Sequence, residues 1–188
     1  MIKILIADDH PIVRQGFKQV LSDTADLVVA DEAGNGQEVL SLAAKKDYDV
    51  ILLDISMPGK NGLEVLKELR LTNPKIPVLI LSIYPEEQYA IRALKAGAAG
   101  YLTKASAPDE LISAIRKVSR GGKYISASLA EKLAYELDGE AEKAPHETLS
   151  DREYQILLMI ASGKTVSSIA EEMCLSVKTV STYRSRIL

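Results

Sequence analysis

The chain has 188 residues, 47% of them hydrophobic and 26% charged, with a net charge of −3 at pH 7. That is the balance of an ordinary globular protein, and no apolar run nears the ~20 residues of a membrane span, so disorder and a membrane class are both excluded. The opening MIKILIADDH runs directly into a strand-like segment without the parts of a signal peptide, so the cytoplasm is the expected compartment and no membrane partner is expected.

Short runs of β-branched and aliphatic residues recur at Ile2 to Ala7, Leu27 to Ala30, Val50 to Leu53, Val78 to Leu81 and Gly100 to Leu102. Between them lie helical spacings: Val13, Phe17, Val20 and Leu21; Val39, Leu40 and Ala43; Leu63, Leu66 and Leu69; Ile91, Leu94 and Lys95. This alternation of strand and helix predicts an α/β domain with a parallel sheet covered on both faces. A fifth helix is predicted from about Pro108, with Ser106 as its cap, Asp109 and Glu110 in its first turn, and Gly121-Gly122 as its stop.

Ala127 to Leu137 predicts a further helix, followed by a polar linker from Asp138 to Glu147 that contains Gly139 and Pro145. Three helices are then expected at Asp151 to Ala161, Val166 to Met173 and Val177 to Leu188, with Ser150 and Glu153 as a capping box and Ser176 capping the last. Gly163 suits the C-terminal stop of the first of them. The lone cysteine, Cys174, has no partner for a disulfide or a cysteine zinc cluster and is expected to be a small core residue.

Sites in open parallel sheets lie beyond the carboxyl ends of the strands. The polar residues fall there: Asp8 and Asp9 after the first strand, Asp54 at the third, Ser82 at the fourth and Lys104 past the fifth. Taken singly, each acid could be a cap, Ser82 likewise, Lys104 a solvated lysine and Tyr101 a packed edge residue. Three convergent carboxylates, however, repel one another unless a cation neutralises them, and an all-oxygen set suits Mg²⁺. With one lysine and one hydroxyl beside it, the cluster suits phosphoryl transfer to an aspartate. His10 receives no role, because adjacent residues at a helix start are expected to point apart, and His146 receives none because it falls in the linker.

The strings IADDH, ILLDISMPGKNGLEVL, LILS and GYLTK, in that order over about residues 1–120, resemble the motifs of the response-regulator receiver domain. The resemblance implies a flavodoxin-like, doubly wound five-stranded sheet of order 2-1-3-4-5. It also implies that Asp54 is the phosphoacceptor, that Asp9, Asp54 and the Ser56 carbonyl bind Mg²⁺, and that Asp8 acts through water. Ser82 and Tyr101 match the switch residues and Lys104 the phosphate-binding lysine. Many receivers have proline after this lysine, whereas Ala105 stands here, which argues against a cis bond.

Residues 149–188 carry five basic and four acidic groups, and from Lys178 onward only Lys178, Arg184 and Arg186 are charged. A short basic helix by itself is usually a solvated surface. Here it ends a string, LSDREYQILLMIASGKTVSSIAEEMCLSVKTVSTYRSRIL, that fits a helix-turn-helix with its last helix in the major groove. The string resembles the LuxR-type helix-turn-helix of the NarL/FixJ subfamily. It departs at Val166-Ser167-Ser168, at Tyr183, where histidine is common, and in stopping inside the recognition helix, before the subfamily's fourth, dimer-forming helix.

The resemblance implies Lys178, Thr179, Ser181, Thr182, Tyr183 and Arg186 as DNA-facing residues, with Val177, Val180 and Ile187 packed inward. The organisation expected is a receiver at 1–122, a linker with one helix at 123–147, and a small all-α helix-turn-helix domain at 148–188, truncated in its recognition helix. The function expected is a two-component switch rather than a turnover enzyme. A sensor histidine kinase would phosphorylate Asp54, a homodimer would form on activation, and binding to double-stranded DNA would control transcription. Two other readings stand beside it: a metal-dependent phosphatase or phosphotransferase, which lacks a second acid placed as general acid, and a receiver that binds protein rather than DNA.

Overall fold

A computed structural model describes residues 1–137 and 148–187. The polar linker at 138–147 and the expected helix end at Leu188 lie outside the described residues. The chain divides into two compact units, Met1–Ala134 and Tyr135–Leu188.

The first unit alternates β1 (Ile2–Ala7), α1 (Pro11–Ser22), β2 (Leu27–Ala33), α2 (Gly36–Ala43), β3 (Val50–Asp54), α3 (Gly62–Thr72), β4 (Val78–Ser82), α4 (Glu86–Lys95), β5 (Gly100–Thr103) and α5 (Pro108–Ser119). A helix α6 (Ala127–Leu137) follows. The five strands form one parallel sheet of order β2-β1-β3-β4-β5, so the strand order reverses between β1 and β3. Strands β3 and β4 are buried throughout, as their unbroken apolar sequences require of central parallel strands.

One side of the sheet packs Ile4, Ile6, Leu52, Leu79 and Leu81 against Leu111, Ile115 and Val118 of α5 and Leu21 of α1. The alternate residues Leu5, Leu53 and Ile80, also fully buried, belong to the opposite face by the two-residue period of a strand. The register does the rest. Ala7 pairs with Leu53, Asp54 with Leu81 and Ser82 with Thr103. Asp8, Asp54, Ser82 and Lys104 are therefore delivered to one end of the sheet, around the reversal point.

Several expectations need correction. Strand β2 runs on to Ala33, because an edge strand tolerates the half-buried Asp31 and the exposed Glu32 that ended the apolar run. The buried face of α4 is Tyr89, Ala90 and Ala93, while Ile91 and Leu94 are only partly buried and Lys95 is exposed. Helix α5 is capped by the backbone of Ala107 with Pro108 at its first position, not by Ser106. No peptide among the described residues is cis.

The second unit holds α7 (Asp151–Ala161), α8 (Val166–Glu172) and α9 (Val177–Ile187). Ile156, Met159, Ile169, Ala170, Met173 and Val180 form its core. The Ser150/Glu153 capping box starts α7, and Gly163, at φ 85°, turns the chain where a side chain would strain it. Ser176 accepts from the Thr179 amide and starts α9. Cys174 is exposed rather than a core residue: it occupies the left-handed turn between α8 and α9 at φ 52°, and Met173 takes the inward position. Val177, at the first position of α9, is 51% exposed and does not pack inward, whereas Val180 is buried and Ile187 packs on the core.

Candidate phosphoacceptor pocket and nucleic-acid interface

The β1–α1 junction places the first two acids. The Asp8 amide donates to the Ala33 carbonyl, and the His10 amide donates to Asp8 Oδ1 at 2.8 Å, a tight turn before Pro11 opens α1. The Arg14 guanidinium, one turn into α1, donates to the Asp8 carbonyl at 2.7 Å and to Glu32 at 3.0 Å, fixing the backbone under the acid. On the other side of Asp54, the Gly62 amide donates to the Ile55 carbonyl, and a β-carbon at Gly62 would stand 2.1 Å from the Asp54 carbonyl oxygen. Only glycine fits there. Asn61 and Glu64 form a capping box that holds this start of α3 in place.

Asp8 and Asp54 are each 1% exposed and Asp9 is half-buried. Lys104 reaches between the buried pair, with Nζ 2.6 Å from Asp8 Oδ2 and 2.8 Å from Asp54 Oδ2. Burial raises the Asp54 pKa above its ordinary range, and the opposing Lys104 charge does not cancel it. Burial also disfavours charge on Lys104, but Asp54 and Asp8 outweigh it and hold the ammonium above its usual pKa. Asp8 Oδ2, Asp9 Oδ1, Asp54 Oδ1 and Ser56 Oγ are all buried with no hydrogen-bond partner within the protein, and while the first two lie against Lys104 and His10 as ion pairs, Asp54 Oδ1 and Ser56 Oγ remain unanswered. A buried acceptor without a partner costs stability unless something fills the gap. The oxygen donors of Asp8, Asp9 and Asp54 lie close enough together, within 4.8 Å, to share one cation, so the residues present fit Mg²⁺.

His10 does not point away from the acids as adjacency led one to expect. The turn at Asp8 folds its ring back, leaving Nδ1 2.8 Å from Asp9 Oδ1 and 3.3 Å from Asp8 Oδ1. The sequence carried no periodic signal for this contact, nor for Arg14.

Ser82, fully buried at the end of β4, accepts from the Tyr84 amide, and Tyr101, also buried, donates its hydroxyl to the Tyr84 carbonyl at 2.9 Å. The Lys104 amide donates to the Ser82 carbonyl. The β4–α4 loop is thus tied at one end to the pocket and at the other to Tyr101. Of the sequence-derived candidates, Asp8, Asp9, Asp54, Ser82 and Lys104 are brought to one end of the sheet, with Ser56 just after Asp54 and Tyr101 on the neighbouring strand.

In the second unit a groove of about 320 Å³ on α9 is lined by Ser176, Lys178, Thr179, Thr182, Tyr183 and Arg186. Ser181, exposed, is not among the residues that line it. Thr182 donates to the Lys178 carbonyl, the Thr179 hydroxyl is paired with Ser176, and Tyr183 packs partly on the core. Lys178 and Arg186 are exposed, and their cations give this face its positive charge.

Two family models match. The response regulator receiver domain covers residues 4–116 and the luxR family of bacterial regulatory proteins covers residues 147–188. The chain is 43% identical over its whole length to the response regulator GacA of Pseudomonas aeruginosa, spanning 88% of that protein. It is 38% identical, again over its whole length, to the response regulator UvrY of Escherichia coli, spanning 86% of it. Among solved structures, a LuxR-family two-component response regulator from Aurantimonas superposes with a TM-score of 0.67 at 31% identity, covering 73% of this chain and 98% of that one. RcsB from Salmonella enterica serovar Typhimurium, solved bound to a promoter, superposes with a TM-score of 0.65 at 26% identity, covering 99% of this chain and 89% of that one.

Proposed function

The chain belongs to the response regulators with a LuxR-type DNA-binding domain, and on that premise we propose that Asp54 accepts a phosphoryl group from a sensor histidine kinase and thereby controls sequence-specific DNA binding. The observation that carries the reading is Asp54 Oδ1: a buried carboxylate oxygen with no partner, at the reversal point of the sheet, while Lys104 holds the other oxygen of the same group. Oδ1 attacks phosphorus, the P–N bond of a phosphohistidine breaks, its electron pair returns to the imidazole nitrogen, and an acyl phosphate remains on Asp54. Lys104, freed from one carboxylate oxygen, meets the new phosphoryl oxygens instead. Asp8, Asp9, Asp54 and the Ser56 carbonyl would hold Mg²⁺, which when bound supplies charge neutralisation at the phosphoryl oxygens.

Ser82 stands at the end of β4 beside this site, and its movement toward a phosphoryl oxygen would release the Tyr84 amide and change the β4–α4 loop that Tyr101 anchors. The output is assigned to α9, with Lys178, Thr179, Ser181, Thr182, Tyr183 and Arg186 toward a duplex, in a homodimer formed on activation. In this division residues 1–122 receive the signal, 123–147 link, and 148–188 bind DNA, and the compartment is the cytoplasm. No helix among the described residues is long and apolar enough to cross a membrane. RcsB has been solved bound to a promoter in the presence of a phosphate mimic, which supports the same pairing of signal and output here. Incubation with Mg²⁺ and a small acyl phosphate, followed by intact mass, tests the acceptor. The wild type gains one phosphoryl group and Asp54→Asn gains none; equal gain by both refutes the assignment.

A further inference from the structure

His10 offers a nitrogen donor that the proposed phosphoryl transfer does not use. It is the N-cap residue of α1, yet its side chain makes no capping bond to the helix. Instead Nδ1 stands 2.8 Å from Asp9 Oδ1 and 3.3 Å from Asp8 Oδ1, although the residue as a whole is largely exposed. Neighbouring donors around one octahedral cation at 2.0–2.1 Å lie about 3 Å apart, so these spacings match adjacent ligand positions as well as a simple hydrogen bond. Nδ1, Asp8, Asp9 and Asp54 all fall within 4.8 Å of one another. Independently, Asp54 Oδ1 is buried and unpartnered at the same place. The pocket therefore combines oxygen donors with one imidazole.

We propose that His10 Nδ1 is a direct ligand for the divalent cation of this pocket, so that the site favours a nitrogen-accepting metal such as Co²⁺ over Mg²⁺. The proposal rests on the cation site proposed above. Mg²⁺ is a hard ion that takes oxygen ligands and keeps its waters, whereas imidazole adds affinity for transition metals in the order Mn²⁺ below Co²⁺. A hydrogen bond from Nδ1–H to Asp8 Oδ1 is the competing use of the same geometry. It would orient the carboxylate for every cation alike, without discriminating between them.

Calorimetric titration of the tag-free full chain with Co²⁺ and with Mg²⁺ separates the two. All proteins carry His146→Ala, so that His10 is the remaining imidazole. The parent binds Co²⁺ at least about tenfold more tightly than Mg²⁺, and His10→Ala loses about tenfold in Co²⁺ affinity while Mg²⁺ affinity changes less than about twofold. The visible absorption of bound Co²⁺ shifts in the same variant as nitrogen leaves its ligand set. Equal loss for both metals, or no loss for either, overturns the proposal. Asp54→Asn is the control for the underlying site: if it binds Mg²⁺ as the parent does, the cation site itself is misplaced and the proposal falls with it.

Discussion

The Ser126 hydroxyl donates to Glu86 Oε1 at 2.6 Å while accepting from the Leu129 amide at 3.1 Å. One hydroxyl thus caps α6 and fastens its first turn to the first turn of α4, directly after the loop that follows Ser82 and carries Tyr84. Leu129, 2% exposed, completes the contact. Ser126→Ala is expected to cost about 1 kcal/mol, the usual worth of a cap, and to speed amide exchange over residues 127–134. Unchanged exchange there would mean that the helix start is held by packing alone.

Stability should depend on pH and on metal through Asp54. Burial raises its pKa above the ordinary 3.8. The folded state then favours the protonated acid more than the unfolded chain does. The stability from this group is full below about pH 3.8 and is lost as pH rises through the folded value. Above that folded value the metal-free protein holds an ionised, buried Asp54 at a cost, which a divalent cation relieves. Mg²⁺ is therefore expected to raise Tm at neutral pH, with a smaller rise in acid. Asp54→Asn should raise the metal-free Tm, by about 2–4 °C for each kcal/mol recovered, and abolish the Mg²⁺ response. An equal Mg²⁺ shift in wild type and variant would place the cation elsewhere.

Ser82 and Gly62 should separate transmission from assembly of the site. Ser82→Ala keeps the acids and Lys104 in place, so it is expected to accept phosphate at a rate within a few-fold of wild type and to lose the phosphorylation-dependent change in DNA affinity. Gly62→Ala forces a methyl group into the Asp54 carbonyl and should cost about 1–3 kcal/mol, the usual range for overpacking, while slowing phosphorylation as Asp54 moves. Denaturant melts and the mass assay read both variants. A Gly62→Ala protein of wild-type stability and rate would show that the backbone around Asp54 gives way freely.

On α9, Lys178 and Arg186 are expected to contact phosphates. Lys178→Ala should weaken binding to all duplexes alike and flatten the slope of log affinity against log salt by about one. A loss confined to one sequence would instead make Lys178 a base reader.

The sheet was legible in the sequence where burial on both faces writes an unbroken apolar run, as in β3 and β4. The acids and Lys104 were legible because strand ends in a parallel sheet share one edge. The misreadings have physical causes. β2 lies at the edge, so Asp31 and Glu32 hid its second half, and α4 buries alanines and a tyrosine that hydrophobic spacing passes over. Cys174 and Val177 sit at a turn and a helix start, where periodicity stops reporting direction. Thr165, which caps α8 through the Ser168 amide, stood just ahead of the helix expected from Val166 and was not singled out as its cap. His10 and Arg14 reach the pocket through a turn whose hydrogen bonds no residue spacing encodes.

The central claim is that phosphate on Asp54 governs DNA binding, and affinity for a duplex selected from random sequence by the protein itself tests it most directly. Fluorescence polarisation at fixed salt, with and without acyl phosphate and Mg²⁺, is run on wild type and Asp54→Asn. The account predicts about a tenfold or greater gain in affinity on phosphorylation of the wild type, a coupling of about 1.4 kcal/mol, and no gain in the variant. The same gain in Asp54→Asn, or none in a wild type shown by mass to be phosphorylated, would contradict it.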